Sequence, residues 1–145
     1  MERKELGREI HNISNSMKRK IDAKVAEYGL TSVQSRVLHL IMIKTQIEKV
    51  PAYQKDIEEV FRIRRSSVTS VLQLLEKNGY IKRESASNDA RLKQLTLTKK
   101  GDEITEVVHQ IIMKEEENLM KSVTEEEKEL LFSVLEKLSK AISES

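Results

Sequence analysis

A chain of 145 residues is long enough for one modest domain, and 38% hydrophobic with 34% charged residues suits a helix-rich globular protein rather than a disordered one. No apolar run approaches the roughly 20 residues of a membrane span, and the opening MERKELGREI has no signal-peptide apolar region. A cytoplasmic location is therefore expected, and the absence of cysteine, which excludes disulfides and thiolate metal sites, fits it.

The net charge of +2 conceals a division along the chain: residues 62–101 carry ten Lys/Arg against three Asp/Glu, and residues 102–145 carry five against twelve. A basic middle beside an acidic end points to a surface that faces a polyanion.

In chain order, Leu6, Ile10, Ile13, Met17, Ile21 and Val25 recur at helical spacing and predict a long amphipathic helix that stops at Gly29. Thr31 to Gln34 fits a capping box opening a second helix, with Val33, Val37, Leu38, Ile41 and Met42 inward. Lys44 to Pro51 reads as a connection, and Gln54 to Phe61 as a short third helix with Ile57, Val60 and Phe61 apolar. A fourth helix covers RRSSVTSVLQLLEKNG, with Val68, Val71, Leu72 and Leu75 as its stripe and Gly79 as its stop. Tyr80 to Glu84 and Lys93 to Leu97 pair as a hairpin with Ser85 to Arg91 as its loop. Thr98 caps a further helix carrying Ile104, Val107, Val108, Ile111, Ile112 and Leu119, and Thr124 with Glu127 opens a last one with Leu130, Leu131, Val134, Leu135, Leu138 and Ile142.

The fourth helix is unusual on its other face: Arg64, Arg65, Ser66, Ser67, Thr69, Ser70 and Gln73 precede any acid, and Ser and Thr there sacrifice helix propensity. Ser, Thr and Gln bond to base edges or phosphates, Arg grips guanine with two hydrogen bonds, and a helix N-terminus favours a phosphate. With the hairpin behind it, this helix is expected to be the recognition helix of a winged helix-turn-helix that enters the major groove.

Three stretches carry a resemblance to a known family: GLTSVQSRVL (Gly29 to Leu38), SSVTSVLQLLEKNGYIKR (Ser66 to Arg83) and DARLKQLTLTKKG (Asp89 to Gly101). The chain resembles the MarR family of winged helix-turn-helix transcriptional regulators over nearly its whole length. The resemblance implies a mainly α (α+β) fold: a helical dimerisation region from 1–28 and 102–145, and a DNA-binding lobe over 30–101 with a two- or three-stranded wing. It implies that Arg91 is the wing-tip arginine entering the minor groove, that Asp89 orients it, that Leu95 and Leu97 anchor the second strand, and that Thr98 and Gly101 shape entry into the next helix. Arg83 and Lys93 join the expected DNA-binding set with Asp89, Arg91 and the residues of the fourth helix. Departures from the family pattern fall at Glu58, where a small residue is usual, at Arg62, where Gly, Asn or Asp is frequent, and at Arg64, where Ser or Thr often caps.

The family pattern also implies a homodimer on pseudopalindromic double-stranded DNA and a repressor released by a small-molecule effector. Independent support for the dimer comes from apolar stripes on the terminal helices that a small wing domain cannot cover. His11, His39 and His109 have no ligand spacing, so no metal and no cofactor is expected, and no phosphate loop or nucleophile elbow suggests an enzyme. The competing reading is a winged-helix module that binds protein, which should lack a basic wing and an acid-free helix face.

Overall fold

The computed structural model describes residues 4–144. They divide into two compact units between Ile112 and Met113. The elements run α1 (Leu6–Ala26), α2 (Ser32–Met42), a π-helical turn (Ile43–Ile47), β1 (Ala52–Tyr53), α3 (Gln54–Phe61), α4 (Arg65–Lys77), β2 (Ile81–Ala86), β3 (Asp89–Leu97), α5 (Lys99–Leu119) and α6 (Glu125–Ser143). No helix among the described residues is long and apolar enough to cross a membrane.

Local signals set most boundaries. Thr31 and Gln34 form the reciprocal capping box at the start of α2, and Thr124 and Glu127 repeat it at α6. At the end of α4 the Gly79 N–H donates to the Glu76 carbonyl and the Tyr80 N–H to the Leu75 carbonyl at 2.9 Å. That pattern needs a left-handed residue, supplied by Gly79 with φ +79°, and Gly29 with φ +77° ends α1 in the same way.

The core of the first unit gathers Leu38 and Ile41 from α2, Ile57 from α3, Leu72 and Leu75 from α4 and Leu95 from β3, all fully buried. Each such side chain contributes on the order of 2 kcal/mol through removal of apolar surface from water. Val25 of α1, Ile81 of β2 and Val108 of α5 close around them. β3 is the middle strand of an antiparallel sheet ordered β1-β3-β2, with Ala52 opposite Leu95 on one side and Arg83 opposite Leu95 on the other.

Four expectations are corrected. Lys44 does not begin a connection: the helix continues as a π turn, in which the Glu48 N–H reaches the Ile43 carbonyl at 2.8 Å. Val33 points outward at 39% exposure, because Gln34 and Ser35 fill the inward positions at the helix start. Val60 is likewise exposed on α3. The hairpin is longer than its alternation suggested. Ser85, Asp89 and Arg91 belong to strands, joined by a turn at Ser87 and Asn88, because cross-strand pairing overrides the poor strand propensity of these residues.

In the second unit α6 leaves Leu130, Leu131, Phe132, Val134, Leu135 and Ile142 exposed, between 37% and 78%.

Candidate nucleic-acid interface

α4 presents Ser66, Ser67, Ser70 and Gln73 on its exposed face, opposite the buried Val68, Leu72 and Leu75. Arg64 immediately precedes α4 in an extended conformation and supplies no side-chain cap, so the first N–H groups of the helix are left for another acceptor. Ser70 turns its hydroxyl back to the Ser66 carbonyl at 3.1 Å. Thr69 is more committed: its hydroxyl donates to the Arg65 carbonyl and accepts from Gln54 Nε2, both at 2.9 Å. Gln54, buried at the start of α3, therefore bolts the two helices together. Sequence reasoning missed this role, since only the fold brings residues 54 and 69 within reach.

Asp89 accepts a hydrogen bond from the Arg91 backbone N–H at 2.9 Å, so its carboxylate fixes the strand around Arg91. Ser85 faces Lys93 across the hairpin while the next residue, Ala86, faces Asp89, leaving Ala90, Arg91 and Leu92 without Cα partners in the register. A bulge of this kind re-aims a side chain. Here it displays the exposed Arg91. Lys93 Nζ donates to the Ser85 hydroxyl at 3.0 Å across the two strands.

The structure brings Arg91 and Lys93 to the same small cleft as Arg65, with Gln54, Lys55, Glu58 and Leu92 completing a lining around about 160 Å³. Lys55 was not expected there; its place one residue into a short helix gave no signal. Arg83 is differently engaged. Its guanidinium meets Glu76 Oε1 at 3.2 Å, its backbone N–H meets Glu76 Oε2, and only 20% of its side chain is exposed, so it ties β2 to α4.

A second, larger cleft of about 380 Å³ lies among Met17, Ile21, Leu40, Ile43, Phe61 and Ile112, with Lys18, Asp22, Arg36 and His39 also lining it. Arg36 and Asp22 approach to 3.9 Å there. His39 of α2 and His109 of α5 stack at 5.4 Å and share an Nε2···Nδ1 hydrogen bond of 3.1 Å, which requires one nitrogen to accept. Burial, and secondly His109, hold the His39 imidazole below its ordinary 6.5. Between 6.5 and that lowered value the unfolded chain binds a proton at this site that the folded chain refuses. Stability from this group is therefore complete above pH 6.5 and declines as pH falls below it. His39→Gln is expected to flatten the fall in melting temperature between pH ~7.5 and ~5.5; parallel melts with equal slopes for parent and variant would contradict it.

The family model described as MarR family matches residues 28–92. The HTH-type transcriptional regulator BilQ of Clostridium symbiosum is 31% identical over 104 residues, covering 71% of this chain and 72% of that protein. Among solved structures, the S. aureus MepR–DNA complex superposes with a TM-score of 0.79 at 26% identity over 96% of this chain and 99% of that one. A mutant of E. coli MarR complexed with operator DNA gives 0.74 at 25% identity, covering 92% of each chain. With a winged helix-turn-helix whose recognition helix and wing carry this chemistry, the chain belongs to the MarR family of DNA-binding transcriptional regulators.

Proposed function

We propose that the chain is a cytoplasmic, ligand-responsive repressor that acts as a homodimer on a pseudopalindromic operator, with residues 30–101 as its DNA-binding lobe and 1–28 and 102–145 as its dimerisation region. The observation that carries the DNA-binding geometry is the convergence of Arg65, Arg91 and Lys93 on one cleft beside the exposed Ser66, Ser67, Ser70 and Gln73. On this reading α4 enters the major groove, Arg64 and Arg65 hold phosphate at its start, and the bulged Arg91 reaches the neighbouring groove. Arg83 and Asp89 serve by shaping the wing. Thr69 contributes through its bond to Gln54 as much as through any contact of its own.

Dimerisation is supported by the exposed apolar side chains of α6 and by Leu6, Ile10 and Ile13 of α1, at 59%, 45% and 51% exposure. Release by a small molecule is supported by the 380 Å³ apolar cleft, a size suited to a small ligand. Such a ligand acts only if it binds the DNA-incompetent arrangement more tightly.

Selection of bound duplexes from a random pool tests the reading. The expected product is a pseudopalindrome with half-sites about one helical turn apart and an affinity that falls steeply with salt. Recovery of no common sequence, with weak and salt-insensitive binding, would favour a protein-binding winged helix instead.

A further inference from the structure

The cleft between α3, the start of α4 and the wing is lined by Lys55, Arg65, Arg91 and Lys93, and by a single acid, Glu58. Glu58 Oε1 is closed off from solvent and has no hydrogen-bond partner among the described residues. An unpartnered carboxylate oxygen is costly to bury, whereas an arginine that turned onto it would satisfy it with a charge-assisted bond. Arg65 and Arg91 are exposed at the rim of this same cleft and carry the donors that could do so.

From this juxtaposition we propose that Glu58 competes with DNA phosphate for Arg65 and Arg91, and so limits the affinity of this chain for DNA in general. The proposal rests on the reading that DNA lies across α4 and the wing. The carboxylate attracts the two guanidinium groups without bonding either one in the structure; phosphates must overcome that attraction on binding. Because binding to unrelated sequences comes almost entirely from phosphate contacts, the carboxylate restrains that mode above all. Glu58 is thereby a determinant of specificity that touches no base.

The test compares the parent with Glu58→Gln, which keeps the size and removes the charge, on a random duplex across a salt series. Glu58→Gln is expected to bind about five-fold more tightly at low salt, with the gain shrinking as salt rises. Glu58→Ala should show the same sign, and both variants should melt no lower than the parent. In an Arg65→Gln, Arg91→Gln background the gain from Glu58→Gln should vanish, since the contested groups are gone. Unchanged or weaker binding by Glu58→Gln would overturn the proposal while leaving the DNA-binding geometry standing, provided the parent binds in a salt-dependent way. A gain that persists in the double-glutamine background would also overturn it, as it would mark a diffuse field rather than competition. A parent that binds no duplex at low salt would remove the underlying reading and this proposal together.

Discussion

Gly101→Ala is expected to destabilise the chain by about 3 kcal/mol or more, lowering the melting temperature by about 10 °C. Gly101 sits buried in the first turn of α5, where a Cβ would overlap the Tyr80 carbonyl oxygen and stand 2.9 Å from its carbon. Relief requires the backbone to move, and several bonds hold it in place. The Tyr80 carbonyl accepts from the Thr98 N–H at 3.0 Å, the Tyr80 N–H is committed to Leu75, and Thr98 accepts the Gly101 N–H while donating to Gly79. Lys100 adds a bond to the Asn78 carbonyl at 2.8 Å and lies 4.8 Å from the centre of the Tyr80 ring. Gly7 provides the control. It lies in α1 with open space where a Cβ would go, so Gly7→Ala should gain up to about 1 kcal/mol from helix propensity. Thermal or urea unfolding of the two variants beside the parent checks the opposite signs; equal stability of Gly101→Ala and parent would refute the argument.

Arg91→Ala is expected to weaken duplex binding about tenfold or more at moderate salt and to reduce the salt slope by about one ion. Arg91 is exposed in the bulge of β3, and its side chain supports no neighbour through a hydrogen bond or ion pair among the described residues. The melting temperature should therefore stay unchanged, which separates this effect from that of Gly101. The loss should be similar across sequences if the guanidinium meets phosphate, and graded with A·T content if it enters the minor groove. Fluorescence anisotropy on two duplexes of different composition distinguishes these outcomes, and equal affinity of variant and parent on both would contradict the assigned role of Arg91.

How far the sequence disclosed this molecule depended on how local each cause was. The capping boxes at Thr31 and Thr124, the stops at Gly29 and Gly79 and the stripe from Val68 to Leu75 are read within one or two helical turns, and all appear as expected. β1 escaped notice because its two residues become a strand only by lying against Gln94 and Leu95. The hairpin length escaped for the same reason, since Ser85 and Asp89 have little strand preference without their partners. The site divided along the same line. The acid-free face of α4 was legible from residue types at helical spacing. The engagement of Thr69 by Gln54 and of Arg83 by Glu76 was not, because each depends on a partner brought by the fold. Glu58 stood out only as a departure from the family pattern, and its meaning depends on the cations gathered around it.

The order β1-β3-β2 gives the wing an uneven stiffness. Around Leu95 the middle strand is flanked on both sides, whereas at Lys93 it has one neighbour and from Leu92 to Ala90 none in register. Mechanically this is a cantilever clamped at its root. If the wing enters a groove as proposed, a tip less tied than its root can follow a groove whose width varies from one sequence to another, with the clamp keeping that movement out of the core beneath. On the proposed binding mode, such a wing would tolerate differences in DNA shape at its tip and leave discrimination between sequences to α4.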